Sequence, residues 1–324
     1  MALDIPGLSD AELQRALKQL TSLPKHEQIE LNQMLVDLEK VKSIEKSQDT
    51  FLDFVNHVYP GYKVGKHHAR LAKIFEDIAN GKKKRVIVNI APRHGKSELI
   101  SYLAPAWFLG KHPDKKVIMA SHTADLAVNF GRRVRNLVGS DSYKEIFPDV
   151  ELQSDSKSAS RWGTNYQGEY FAIGVGGALA GRGADLFIID DPHSEQDAKL
   201  GKPEVFLPAW EWFQSGPIQR LMPGGAIIVV MTRWSKLDLT GQIVNQMVKN
   251  DDVDDWEIVE FPAIIEDKNG EEKALWPEFW PLEELLSKKA ALDVRYWNAQ
   301  YMQNPTSEEG ALIKREWWKI WEGE

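Results

Sequence analysis

The chain has no cysteine in 324 residues. That excludes disulfide staples, thiolate metal sites and a cysteine nucleophile. No apolar run approaches the ~18 residues of a membrane-spanning helix. The opening Met1-Ala2-Leu3-Asp4 lacks the basic stretch and apolar run of a secretory leader. Positive charge is not in surplus, because 40 Lys and Arg face 48 Asp and Glu for a formal net charge of -8. A general basic coat for nucleic acid is thereby excluded, but a local basic path is not. What is present is core material: hydrophobic residues make up 43% of the chain, with 12 Trp among them. Collagen-like, mucin-like and wholly disordered chains are ruled out. The length suits about two domains, or one large α/β domain with additions.

Residues 1–48 read as a helical extension. Ser9 and Glu12 fit a capping box, and Leu13, Ala16, Leu17 and Leu20 follow at helical spacing. After a break at Thr21-Ser22-Leu23-Pro24 comes a second stripe of Leu31, Met34, Leu35, Leu38 and Val41. The extension is either a packing appendage or a docking arm for a partner. Lys46 to Thr50 reads as a polar linker, and short amphipathic helices are expected over 51–58 and 67–79.

From residue 82 the texture changes. Short apolar runs at 85–90, 116–120, 185–189 and 226–230 predict buried strands, and 256–259 predicts an edge strand. Helical stretches at 97–109 and 123–138 separate some of them. The pattern predicts an α/β fold with a mostly parallel central sheet flanked by helices. Past residue 265 a polar turn leads to Trp276-Pro277-Glu278-Phe279-Trp280-Pro281 and a helix over 282–301. The expected division is an extension (1–48), a core (49–264), and a small C-terminal lid subdomain with a linker (265–324).

The first strand runs into Ala91-Pro92-Arg93-His94-Gly95-Lys96-Ser97-Glu98 and then a helix. Strand, glycine-lysine-serine loop and helix form the setting in which backbone N–H groups cradle phosphate. Gly95 lets the main chain approach closely. Lys96 would reach the β- and γ-phosphates of ATP, and the Ser97 hydroxyl would bind Mg²⁺. Ile90 stands where the usual first glycine of such a loop would be, and Pro92 removes an N–H. Arg93 and His94 add side-chain donors.

A second apolar run, Leu186 to Ile189, ends in Asp190-Asp191. The first carboxylate would hold Mg²⁺, and the second sits where a general base for attacking water is needed. Asp191 is one methylene shorter than the more usual Glu, and Glu195 is a nearby alternative. Before this strand, Arg182 lies between Gly181 and Gly183. It either faces water or acts as an arginine finger on a phosphate, its own or a neighbouring subunit's. Thr232, at the end of another buried strand, is placed to sense the γ-phosphate, and Arg233 to report it. Arg132, Arg133, Arg135 and the run Lys82-Lys83-Lys84-Arg85 are either solvated charge or DNA contacts.

Pro-Arg-His-Gly-Lys-Ser at 92–97, Gly-Arg-Gly-Ala-Asp at 181–185, Ile-Ile-Asp-Asp-Pro at 188–192 and Thr-Arg-Trp at 232–234 occur in that order. With Asp238, Leu239, Gly241, Tyr301-Met302-Gln303-Asn304-Pro305, Gly310 and Trp317-Trp318, they resemble the large terminase subunit of tailed bacteriophages over roughly residues 50–320. The resemblance implies a P-loop NTPase fold of the ASCE type. It implies an ATPase motor that uses ATP and Mg²⁺ to drive double-stranded DNA into a prohead. It also implies a homo-oligomeric ring, the portal protein and small terminase subunit as partners, no membrane, and work in the host cytoplasm during phage assembly. By resemblance, Lys96 and Ser97 are the Walker A residues, Asp190 the Walker B acid, and Asp191 the residue at the catalytic glutamate position. Arg93 is the P-loop arginine, displaced by one residue, and Arg182 acts across the subunit interface. Thr232 lies in the coupling motif, and His67-His68 falls where the family carries an adenine motif. The family joins this motor to an RNase H-like nuclease, which is not expected within this chain. Two other classes remain: a helicase-like DNA-remodelling ATPase, and a nucleotide-binding scaffold without turnover.

Overall fold

The computed structural model describes residues 23–306 apart from 200, 201 and 251. The helix expected after Ser9, and Gly310 and Trp317-Trp318, lie outside the described residues. The strands are β1 (Arg85–Ile90), β2 (Lys116–Ser121), β3 (Leu152–Lys157), β4 (Arg161–Thr164), β5 (Glu169–Gly174), β6 (Ala184–Asp190), β7 (Leu221–Met231) and β8 (Glu257–Phe261). They form one eight-stranded sheet in the order β3-β4-β5-β2-β6-β7-β1-β8. All neighbours from β5 through β8 are parallel; the β3–β4 and β4–β5 pairings are antiparallel.

Each expected apolar run is a strand, and residues 257–261 do form an edge. The run in β1 splits its side chains between two cores. Val86, Val88 and Ile90 join Phe51, Phe75 and Trp107 on one face, while Ile87 joins Phe187, Val229 and Phe213 on the other. Burial on both faces explains why these strands read as continuous apolar runs and not as alternating ones.

The first face is covered by α1 (Lys25–Asp49), α2 (Phe51–Val58), α3 (Lys66–Ala79), α4 (Ala104–Lys111) and α5 (Ala124–Val138). The supposed linker over 46–50 is instead the last turn of α1. Its polar residues have long-range partners: the Ser47 carbonyl accepts from Trp107 Nε1 (3.1 Å) and Gln48 donates to the Ile146 carbonyl (2.6 Å). The helix expected over 97–109 begins with a π-type turn, Glu98–Leu103, before α4. Thr123 caps α5 by accepting from the Leu126 N–H.

After β8 a two-stranded hairpin, β9 (Ile264–Glu266) with β10 (Glu272–Ala274), opens the lid. The helix expected over 282–301 stops at Ala291, because Asp293 caps a new turn by accepting from the Arg295 N–H. The lid has its own small core of Ala263, Ile264, Ala274, Leu285 and Trp297, which also takes in Ala91 beside the phosphate loop. Among the described residues, no helix is long and apolar enough to cross a membrane.

Candidate functional site

Parallel strands deliver their C-terminal ends to one edge of the sheet, and the crevice there is where α/β proteins take ligands. The chain leaves β1 at Ile90 and turns through Arg93 and Gly95, both with positive φ (61° and 82°). Glycine is needed at 95 for a second reason: a methyl there would run into the His68 imidazole. The loop is held from behind. His67 Nε2 and His68 Nε2 each donate to the His94 carbonyl at 3.0 Å, and Trp280 Nε1 donates to the Arg93 carbonyl at 3.2 Å.

β6 brings Asp190 and Asp191 to the same edge. Lys96 reaches across to Asp191, with Nζ 2.7 Å from Oδ2. Asp191 has φ 42°, and its N–H donates to the Val230 carbonyl at 3.0 Å. The Thr232 N–H donates to Asp191 Oδ1 at 2.9 Å, and the Thr232 hydroxyl donates to the Ile90 carbonyl at 3.1 Å. Thr232 therefore ties the ends of β1, β6 and β7 together, with its hydroxyl committed to β1. Arg233 is buried and bonded to Asp238 (Nε to Oδ2, 3.0 Å), which caps α6 (Leu239–Lys249). The Arg233 N–H donates to Gln303 Oε1 at 3.2 Å, linking β7 to the lid.

A cleft of about 650 Å³ lies between these elements, within the range of small-molecule sites. It is lined by Pro92, Arg93, Gly95, Lys96, Ser97, Glu98, Asp190, Asp191 and Thr232. The structure thus brings together most of the residues that the sequence had singled out. His94 is buried behind the loop instead. The Glu98 carboxylate is paired with Arg133, whose guanidinium also covers the Tyr102 ring at 4.0 Å. Glu195 reaches the cleft from a short helical turn, Glu195–Lys199, and pairs with Lys199 at 2.6 Å. Sequence reasoning missed His122 and His193, which also line the cleft. Their signal was position: each lies just past the end of a predicted strand. The Leu239 N–H donates to His193 Nε2 at 2.8 Å, which fixes that nitrogen as an acceptor.

The cleft's charges are buried and unevenly satisfied. Burial pulls the Lys96 ammonium down, but Asp191 and Asp190 together more than offset this, so its pKa lies above the usual lysine value. Asp190 moves the other way. Burial, reinforced by Asp191, pushes its carboxyl up to about 6 against the pull of Lys96. Asp190 Oδ2 accepts from the Ser101 hydroxyl at 2.8 Å, while Oδ1 is buried with no hydrogen-bond partner. A buried carboxylate oxygen without a partner, near the Ser97 hydroxyl, is what a divalent cation or its water shell would satisfy.

Arg182 does not line this cleft. Its Nη1 lies 2.8 Å from Glu169 Oε1, and the guanidinium lies 3.6 Å from the Phe171 ring centre. Glu169 opens β5, so Arg182 stands at the opposite, N-terminal edge of the sheet. The basic run over 82–85 lies there too: Lys83 pairs with Glu257, and Arg85 with Asp254 at 2.6 Å.

Residues 87–203 match a family model described as the terminase large subunit, T4likevirus-type, N-terminal. The terminase resemblance expected from the motifs is borne out for this segment. The terminase-type segment opens inside β1 and closes beyond Glu195, so it contains the phosphate loop and both acids. A comparison with curated proteins returns no match. Among solved structures, a mutant ATPase domain of the Thermus phage P74-26 large terminase is 15% identical with a TM-score of 0.50; the likeness covers 78% of this chain and 98% of that one. The bacteriophage HK97 large terminase is 15% identical with a TM-score of 0.49, covering 74% and 50%. The large terminase of a thermophilic bacteriophage, in complex with ADP, is 10% identical with a TM-score of 0.42, covering 71% and 52%. The chain spans about half the length of the last two. At these identities the likeness to the P74-26 domain is one of fold, and that fold is the α/β P-loop architecture expected here.

Proposed function

We propose that this chain is the ATPase motor of a phage terminase large subunit, binding ATP in the cleft and hydrolysing it to drive double-stranded DNA into a prohead. The observation that carries the reading is the Lys96–Asp191 pair across the cleft, with Asp190 buried beside it, inside the terminase-type segment. Phosphate arriving on the loop competes with Asp191 for the Lys96 ammonium. Asp191 keeps its Thr232 N–H contact, so it is freed from the lysine but not from its position. Its carboxylate then orients a water in line with the γ-phosphate and takes that water's proton as the new bond to phosphorus forms and the bond to the β–γ bridging oxygen breaks, releasing phosphate and leaving ADP with the electron pair. Arg93, exposed on the loop, supplies further positive charge. Mg²⁺ fits the site through the Ser97 hydroxyl and Asp190, and when bound would neutralise phosphate charge.

Three further features belong to this reading. The extension, core and lid divide near residues 48 and 264. The working form is a homo-oligomeric ring that meets the portal protein and small subunit in the host cytoplasm. Arg182, outside its own subunit's cleft, completes the cleft of a neighbour. Mixing tests that last feature. Arg182→Ala retains a phosphate loop and Lys96→Ala retains a finger, so under assembling conditions the two inactive variants together should regain activity. No recovery, with assembly confirmed separately, removes Arg182 from a role in trans.

The function itself is tested by phosphate release with and without duplex DNA. Turnover that rises on duplex, without strand displacement, is expected. Strand separation would place the chain among helicase-like enzymes, and nucleotide binding without phosphate release would make it a scaffold. Plasmid DNA incubated with Mg²⁺ or Mn²⁺ should stay intact, and cleavage that depends on a carboxylate of this chain would overturn the motor-only reading.

A further inference from the structure

The residues behind the phosphate loop use an uncommon arrangement: two imidazoles converge on one carbonyl. His67 and His68 are adjacent on α3, their ring centroids are 3.8 Å apart, and both donate to the His94 oxygen. His68 is fixed in one tautomer, because its Nδ1 accepts from the Gly65 N–H at 3.0 Å while Nε2 donates. Both rings are neutral near pH 7: burial pulls His67 down to about 3, helped by His68, and pulls His68 down to about 4. The lid closes over them, with Trp276 edge-on to His68 at 4.6 Å and Trp280 bonded to the Arg93 carbonyl. Neither imidazole lines the cleft.

Geometry gives this arrangement a function. In a trans peptide the carbonyl and the following N–H point to opposite sides. Holding the Arg93 and His94 carbonyls from behind turns the N–H groups of His94 and Gly95 the other way, toward the side of Lys96. Successive N–H groups aimed at one place form an anion nest. A phosphate loop usually relies on its own glycines to hold that shape, but here Ile90 and Pro92 replace that freedom with fixed backbone.

We propose that His67, His68 and the lid residue Trp280 are positioning residues that orient the phosphate-binding amides of the loop. The histidines act through the loop and do not read the base. The same contact makes the lid a part of the phosphate site: if Trp280 withdraws, the His94 N–H loses its orientation.

The inference rests on the ATP-site reading, and its test separates the two. Binding of ATP and of inorganic tripolyphosphate, each with Mg²⁺, is measured for the wild type, Trp280→Phe, His68→Ala and His68→Gln. Trp280→Phe keeps an aromatic ring in the lid and removes only the donor, so it guards against a variant that fails to fold. Trp280→Phe and His68→Ala should lose affinity for ATP and for tripolyphosphate by the same factor, about 10- to 150-fold, which is what one charged-acceptor hydrogen bond is worth. His68→Gln, which can still present an N–H, should lose less than His68→Ala. A loss confined to ATP, with tripolyphosphate unchanged, would make the histidines base readers and overturn the proposal. Unchanged affinity for both ligands would overturn it as well. Failure of the wild type to bind ATP at all would instead overturn the function proposed above.

Discussion

At the C-terminal edge of the sheet, Lys96, Asp190 and Asp191 share a cleft, and one oxygen of Asp190 has no partner. At the N-terminal edge of the same sheet, Lys83 pairs with Glu257, Arg85 with Asp254, Lys115 with Asp185 and Arg182 with Glu169. The strands, their twist and their spacing are common to both edges. What differs is whether charge is settled. Half-exposed, paired charges contribute little to the stability of their own subunit. A buried charge that is only partly satisfied is costly in the free protein, and ligand binding relieves that cost.

The sharpest way to break the comparison is to remove a charge from the cleft. Lys96→Ala should cut ATP turnover on the order of 10³-fold or more while leaving the fold intact, since it removes a phosphate contact and no core atom. Steady-state phosphate release and circular dichroism check this together. Asp191→Asn should keep nucleotide binding and lose about 10²- to 10⁴-fold in turnover. Glu195→Gln should hardly change it, because Glu195 sits on an exposed turn paired with Lys199. The reverse ranking would move the general base to Glu195.

A second way sharpens the comparison, because here the effect has an unexpected sign. Asp190 holds its proton more tightly in the folded chain, up to about 6 against an ordinary 3.8. The folded state therefore binds more protons than the unfolded state between those values, and stability falls as pH rises through that window. Above pH 6 the full cost applies. Asp190→Asn should raise the melting point at pH 8, by on the order of 1–3 kcal/mol in stability, and the gain should vanish near pH 4. The same variant should weaken Mg²⁺-dependent nucleotide binding. A melting point lowered at pH 8 would mean that the site is satisfied without a ligand.

The smallest effect is expected at the other edge. Lys115→Ala breaks the pair with Asp185 and should cost roughly 0.2–1 kcal/mol, with phosphate release unchanged. A loss of turnover in Lys115→Ala would erase the distinction between settled and unsettled charge.

Much of the cleft edge could be read from the chain, because its parts are local. A buried parallel strand is a short apolar run, and the functional residues follow it within a few positions. The Lys96, Asp190 and Thr232 assignments came from such strand ends. The antiparallel flank was not legible: Leu152–Lys157 carries mostly polar side chains, and Arg161–Thr164 is only four residues long with a glycine in it. The end of α1 was read as a linker because Ser47 and Gln48 look polar in isolation; their partners, Trp107 and Ile146, are far away in sequence. The histidine brace was hidden for the same reason. His67 and His68 meet a carbonyl 27 and 26 residues on, and the family resemblance pointed to base recognition at their position.

The lid leaves the core and returns to it at nearly one point. The Ala263 N–H donates to the Tyr301 carbonyl at 2.7 Å, so the excursion from 263 to 301 closes on itself. Just beyond the closure, Gln303 is bonded to the Arg233 N–H. Part of a tensile load applied to the chain past residue 303 is taken by Asn298, whose carbonyl accepts from the Asn304 N–H at 2.8 Å, and the remainder passes through Gln303. That remainder arrives at Arg233, next in sequence to the Thr232 that grips Asp191. Mechanically, the Asp191 carboxylate hangs one peptide from a tow point, and one load path to the cleft runs through a single side-chain hydrogen bond.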